Sequence, residues 1–361
     1  MGVVSRNAVI EANYIGNIGN NGSRLHDGSI NPLNFPTWSS YQKLLLSGHV
    51  NDWVWDQGSA SAAGVPFPYA GFSAPAYMAI NPFPQVASQT YGPIYFVGSG
   101  LGSSDYRALS LEFRKRGGQG LSTDFSYTYS RARGNTTSAF DESWSIAGFQ
   151  DPYNLAQEAE ALEPYDMTHV FKGYLTYDLP FGHGRRFLGV SKGLVNKLVG
   201  GWTVATLFQY NSGTPMAAPA DTLYYPGWSA VFANVAPNAD FSNTFKGLNL
   251  TDVADNIVDP NARYFNPANF TNPAYAQLGN APRYFSYWRN WGSANENASI
   301  LKKMGFGSDG RYQVTLRAEF LDLFNRHYWG TPNMNMNSQF FGQIQSVSGN
   351  RTGQVGARLE F

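Results

Sequence analysis

The most constraining feature of this chain is a set of stretches in which apolar and polar residues alternate with period two. The last nine residues, Gly353 to Phe361, show it plainly. Val355, Ala357, Leu359 and Phe361 fall on one face of an extended strand, and Gln354, Gly356, Arg358 and Glu360 fall on the other, because successive side chains of a strand point to opposite sides. A soluble sandwich accommodates such a strand anywhere. A transmembrane β-barrel uses it with apolar residues toward lipid and polar residues toward the lumen.

The same pattern recurs along the chain. Ala8, Ile10, Ala12 and Tyr14 alternate with Val9, Glu11, Asn13 and Ile15, and Gly16 with the Asn/Gly cluster 17–22 is expected to end that strand. Leu109, Leu111 and Phe113 alternate with Ser110, Glu112 and Arg114, and Phe125, Tyr127 and Tyr129 with Asp124, Ser126 and Thr128. A three-residue turn, 118–120, predicts that Phe113 opposes Phe125, Leu111 opposes Tyr127, Leu109 opposes Tyr129 and Arg114 opposes Asp124. One face is then apolar and aromatic, the other polar.

Phe171, Leu175, Tyr177 and Leu179 mark a fourth strand, stopped by Leu179-Pro180-Phe181-Gly182, and Leu194 to Val199 suits one helical turn. Trp202, Val204, Phe208 and Tyr210 mark a fifth, ended by Ser212-Gly213-Thr214-Pro215. A sixth is placed around Ser299 to Phe306, where Lys302 and Lys303 give both faces a charge. Val314, Leu316, Ala318 and Phe320 alternate with Gln313, Thr315, Arg317 and Glu319 in the seventh. Within the first long connection, Thr37 to Leu46 is predicted as a short helix with Thr37 or Ser39 as its N-cap.

Connection lengths decide between the two architectures. Long connections at about 17–104, 133–167, 212–296 and 325–352 alternate with short ones. Barrels of the outer membrane have short periplasmic turns and long extracellular loops, whereas loops beyond about 15 residues are uncommon in compact soluble domains. The sequence therefore predicts an all-β, antiparallel transmembrane β-barrel segment of about eight strands, in one domain over 1–361. Its strands are expected to remain an open sheet, part of a larger barrel, and its unpaired terminal edge would be an aggregation liability.

Composition narrows the function. Net charge is zero, so there is no basic excess with which to neutralise phosphates, and no nucleic-acid partner is expected. Charged residues are 14% of the chain, against a usual fraction of about 25%. Cysteine is absent, which excludes disulfides, thiolate metal sites and cysteine nucleophiles. No apolar run approaches the roughly 20 residues of a helical span. The amino terminus, Met-Gly-Val-Val-Ser-Arg-Asn, lacks the apolar core of a signal peptide, so a barrel would have to be the carboxy-terminal fragment of a longer exported protein.

No catalytic motif is present: there is no H-E-x-x-H, G-x-S-x-G or P-loop. An enzyme is not expected, nor is a cofactor. Gly98-Ser99-Gly100-Leu101-Gly102 precedes a strand rather than a helix and reads as loop. His26, His49, His169, His183 and His327 are scattered, without ligand spacing. Asp252, Asp255 and Asp259 lack an EF-hand pattern and read as a solvated acidic loop. Asp141, Glu142, Glu158, Glu160 and Glu163 are read the same way. Phe113, Phe125, Tyr127, Tyr129, Tyr177, Trp202, Phe208, Tyr210 and Leu359 are expected to face lipid or form an aromatic girdle. Arg114, Asp124, Arg317, Glu319, Arg358 and Glu360 are expected to face the lumen, paired across strands. Trp288, Trp291 and Tyr284 are expected to pack a long loop upon itself. No ligand-binding residue is singled out.

Several tracts, in order, carry a resemblance. They are Tyr106-Arg107-Ala108-Leu109 with Lys115-Arg116, Gly120-Leu121 and Tyr127-Thr128-Tyr129-Ser130, then Tyr165-Asp166-Met167-Thr168-His169 with Leu179-Pro180-Phe181-Gly182. Gly200-Gly201-Trp202 with Ser212-Gly213-Thr214-Pro215 follows, then Arg317-Ala318-Glu319-Phe320 with Leu323-Phe324-Asn325, and Phe341-Gly342-Gln343-Ile344 before Phe361. Over nearly its whole length the chain resembles the carboxy-terminal part of the Oar-like β-barrel of TonB-dependent outer-membrane transporters. The resemblance implies part of a barrel of the 22-stranded type in the outer membrane of a Gram-negative-type cell, and energy-coupled uptake of a large or scarce solute. It implies outer-membrane lipid and the barrel-assembly machinery as partners, the TonB system acting through an amino-terminal plug that this sequence does not contain, and Phe361 as an assembly signal. Two other readings stay open: a non-transporting adhesin or structural barrel, and a soluble β-rich carbohydrate-binding protein.

Overall fold

The computed structural model describes residues 2–5, 7–22, 35–85, 102–117, 120–134, 150–151, 153–154, 161–219, 225–228, 231–307 and 311–361. Its centre is one antiparallel sheet of nine strands: β1 (Gly2–Ser5), β2 (Ala8–Gly22), β3 (Gly102–Lys115), β4 (Leu121–Gly134), β5 (His169–Asp178), β6 (Trp202–Asn211), β7 (Ser293–Phe306), β8 (Tyr312–Leu321) and β9 (Thr352–Glu360). Each strand pairs with its neighbour in this order, as in a meander. The order is open among the described residues, with β1 and β9 at its two edges. The strand at Ala8–Tyr14 thus lies between β1 and β3 rather than beside β9.

The predicted register of the central hairpin is the observed one: Leu109, Leu111, Phe113 and Arg114 oppose Tyr129, Tyr127, Phe125 and Asp124. Gly120 sits at φ 81°, the left-handed conformation that glycine adopts without penalty. Following the pairs across the sheet shows how completely the faces segregate. Phe113, Phe125, Tyr127, Tyr129, Tyr177, Trp202, Phe208, Tyr210 and Leu359 all share one face, and Arg114, Asp124, Arg317, Glu319, Arg358 and Glu360 all share the other. On β3 the apolar face is bounded by Arg107 and Lys115, about 26 Å apart along the strand at 3.3 Å per residue. That is the scale of the roughly 25 Å apolar band of outer-membrane barrels before tilt is allowed for.

Several element boundaries differ from those the sequence predicts. β2 continues through the Asn/Gly cluster to Gly22 because β3 begins at Gly102 and supplies a ladder opposite it, so tertiary pairing overrides the local turn signal. The first outer connection therefore starts later than residue 17. β7 begins at Ser293, six residues before the predicted start, because β6 pairs with all of 293–302. β1 is too short to show periodicity. The helices at Trp38–Ser47 (α1) and Gly193–Val199 (α3) lie where the sequence places them, and a further one spans Gln57–Ala63 (α2). Thr37 is the N-cap of α1, without a side-chain capping bond.

The sheet does not contain the hydrophobic core. Among the described residues, the buried apolar side chains on its strands are three alanines, Ala8, Ala108 and Ala132. The core lies in the long connections, all of which leave the sheet at the same end because the strands are antiparallel. One cluster joins Tyr41, Leu45, Val54, Phe72, Trp228 and Val231. A second joins Met216, Phe232, Phe265, Phe285, Trp288 and Ile344. The described parts of the long loops thus form a folded cap, in which Trp288 is buried and Trp291 packs against the second cluster, as expected of them.

Candidate functional site

Three regions concentrate polar chemistry: the seam between cap and sheet, a cleft beneath the cap, and the polar face of the sheet.

The seam is built around Asp166, which ends the β4–β5 connection and is fully buried. Its carboxylate accepts from Ala132 N at 2.6 Å and from Arg289 Nη2 at 2.6 Å. Arg289 also donates to the carbonyls of Gly213 (2.9 Å) and Asp166 (3.1 Å). Arg283, fully buried, donates to the carbonyl of Gly134 at 2.7 Å. One ion pair and its hydrogen bonds therefore fasten the ends of β4 and β6 to the segment Tyr284–Arg289, which pairs with Pro215–Ala217 inside the cap. Gly213 fits because a Cβ there would collide with the Asn290 carbonyl. Tyr264 donates to the Arg289 carbonyl at 2.6 Å, and its burial pushes the phenol above its ordinary pKa. Arg283, Arg289 and Tyr264 are not singled out by the sequence, and Asp166 and Gly213 enter it only within the tracts that carry the resemblance. The available signal was the arginine ending the aromatic tract Tyr284-Phe285-Ser286-Tyr287-Trp288-Arg289.

Where β7 and β8 meet the cap, a cleft of about 420 Å³ is lined by Trp291, Phe324, Arg326, His327, Tyr328 and Trp329. Arg326 grips Glu296 with two bonds, Nε to Oε2 and Nη2 to Oε1, each 2.8 Å. An aromatic wall with one oriented guanidinium is a usual composition for a small-molecule pocket.

The polar face holds the six predicted charges. Their pairing differs from the expected cross-strand arrangement. Arg114 does reach Asp124 across strands at 3.2 Å, but the tighter contacts run along single strands: Arg114 to Glu112 at 2.5 Å, Arg317 to Glu319 at 3.3 Å and Arg358 to Glu360 at 3.0 Å. Residues two apart on a strand share a face, and the flexible Arg and Glu side chains close that distance. Gln354 donates to Glu319 across β8 and β9. Arg317, Arg358 and Glu360, with Lys303 and Gln313, line a groove of about 490 Å³, while Arg114 and Asp124 lie on β3 and β4, three strands away.

Other residues are placed individually. Tyr127 and His169 are bonded through Nδ1 at 2.8 Å, and His49 bonds Asp52 at 2.7 Å. Asp259 caps a 3-10 turn by accepting from Asn261 N at 2.8 Å. Glu163, read with its neighbours as a solvated acid, is instead fully buried, because it packs against Gly134 and its N–H joins the Ala132 carbonyl at 3.0 Å. His26, Gly98 to Leu101, Asp141, Glu142, Glu158 and Glu160 lie outside the described residues. Lys302, one of the two charges that the sequence places on opposite faces of the sixth strand, shares the apolar face yet is almost fully buried. Its ammonium donates to the Leu198 carbonyl at 3.0 Å and to that of Gly200, and sits 4.9 Å over the Trp202 ring.

An amphipathic antiparallel sheet with its core displaced into a cap at one end defines a protein of the outer-membrane β-barrel class. A family model for the outer membrane beta barrel domain matches residues 3–354, and the chain belongs to that family. It is thereby assigned to the outer membrane. No curated protein matches the chain. Among solved structures, the fold is similar to the outer membrane transporter YddB from Escherichia coli, with a TM-score of 0.40 and 7% identity, over 99% of this chain and 31% of that one. The chain thus spans under a third of that transporter's length.

Proposed function

We propose that this chain is the carboxy-terminal part of the β-barrel of a TonB-dependent, Oar-like receptor that takes up a large or scarce solute by energy-coupled transport. The observation that carries the reading is the cap. Described segments of three long connections pack around two hydrophobic clusters, and Asp166 of the remaining one fastens Arg289 at the strand ends, which keeps a capture surface in fixed register with the sheet. Loops on a rigid scaffold are the usual place for binding residues. In this reading the aromatic face of the sheet meets lipid and the charged face lines the lumen. Solute captured at the cap passes along the groove lined by Arg317, Arg358 and Glu360.

The test compares solutes depleted from a complex medium by host cells with and without this gene. Transport predicts at least one solute depleted only by cells carrying the gene, with depletion abolished by a protonophore and by loss of TonB. A second reading, a surface adhesin, draws on the exposed Trp53 and Trp55 of the cap. It predicts surface binding that neither treatment changes.

A further inference from the structure

The connection between β5 and β6, residues 179–201, is the longest at the end of the sheet opposite the cap, and the chemistry of barrel transport leaves it unused. We propose that it is an interfacial anchor that binds anionic phospholipid headgroups of the periplasmic leaflet. The inference rests on the reading above, in which the short connections face the periplasm.

Three independent observations support it. The first is placement. The carboxy-terminal end of α3 folds back on the apolar face rather than away from the sheet. Trp202 donates its indole N–H to the Leu198 carbonyl at 2.9 Å, and Lys302 donates to the Leu198 and Gly200 carbonyls. Lys197 sits 4.4 Å over the Phe306 ring. Trp202, Lys302 and Phe306 all share the face of Phe125 and Phe208. The cation of Lys302 lies against two carbonyls at the end of the helix, one of them shared with Trp202, a favourable arrangement at a helix C-terminus.

The second is apolar exposure on an ordered frame. Leu194 and Leu198, one turn apart, are 78% and 71% exposed, and Val190 is 90% exposed. Phe187 and Leu188 are exposed as well. The backbone that carries them is held in place: Asn196 accepts from His183 N at 2.6 Å, and Phe187 N donates to the Pro180 carbonyl at 2.9 Å. Apolar residues presented this way beside a membrane-facing surface are the mark of a helix lying in the interface plane.

The third is charge. Residues 179–201 contain Arg185, Arg186, Lys192 and Lys197 and no Asp or Glu, in a chain whose net charge is zero. A basic and apolar surface level with the lipid boundary complements an anionic bilayer surface.

The chain has no cysteine, so Leu194→Cys and Leu111→Cys each provide a single labelling position in the full chain. Each is labelled with an environment-sensitive fluorophore and reconstituted in bilayers in which either phosphatidylglycerol or phosphatidylcholine carries a spin label near its headgroup. The Leu194 probe is expected to be quenched by lipid, with a preference for phosphatidylglycerol. Replacing Arg185, Arg186 and Lys192 by Gln should lower that preference by about fivefold per charge, the factor one Lys or Arg contributes near an anionic surface. Quenching at 111 without quenching at 194 overturns the anchor and leaves the barrel reading standing. Quenching at neither position removes both. Equal quenching of the 194 probe by the two lipids overturns the anionic selectivity.

Discussion

Asp166 is the residue on which the cap and the sheet both depend. Its carboxylate is buried and shared between a backbone N–H of β4 and the guanidinium of Arg289. Removing one partner of a buried pair leaves the other charge unmatched, at a cost of about 3–5 kcal/mol. Asp166→Ala should therefore lower stability by that order in urea titrations, while an exchange at the exposed Asp52 should change little. A different residue makes part of the cap's stability depend on acid. Asp56 closes a capping box at the start of α2, accepting from Ser59 N at 2.7 Å, and that backbone bond holds its carboxyl below the ordinary value of 3.8. A depressed carboxyl stabilises the fold fully above its unfolded pKa, and the contribution is lost as pH falls through the folded one. Asp56→Asn, which keeps the cap acceptor but not its charge, should flatten this part of the stability profile below about pH 4 and remove the contribution of the charge at neutral pH.

At the scale of the element, the sheet divides its residues by parity alone. Gly173 of β5 lies beneath Phe125 and Phe208, so closely that a Cβ would strike both rings. Phe125, Phe171 and Phe208 form a continuous aromatic patch, with centroids 5.4 to 6.2 Å apart. Phe125 and Ser126 are adjacent in sequence and opposite in facing. If the aromatic face meets lipid, Phe125→Lys should cost about 2–4 kcal/mol in a bilayer while Ser126→Lys is nearly neutral. Equal effects in folding titrations into lipid vesicles would place both residues in the same solvent. Lys302 shows how a charge is tolerated on the aromatic face, since two helix carbonyls and an indole ring replace water around it.

At the scale of the molecule, the described residues form a sheet without a core and a cap that has two. Tryptophans 228 and 288 are buried in the cap, so their fluorescence reports its packing, whereas the β-signal in circular dichroism follows the sheet. The two parts meet through polar contacts centred on Asp166–Arg289 and Glu296–Arg326, and contiguous units of a structure open separately where few apolar contacts join them. In urea the fluorescence change should therefore precede loss of the β-signal. Coincident transitions would show one cooperative unit.

The sequence by itself determined eight of the nine strands, though not all their ends, with their facing and the central register, because a period of two fixes which side each residue takes and parity fixes which pairs can oppose. It also determined which residues carry charge on the polar face. Only the tertiary structure decided that the long connections are folded, that Glu163 is buried, and that Asp166 and Arg289 hold cap to sheet. Those contacts join residues 123 positions apart, across segments with no periodicity, and no local pattern encodes a meeting at that distance. The end of β2 was decided the same way, since its Asn/Gly cluster reads as a turn alone and becomes a strand only when β3 is beside it.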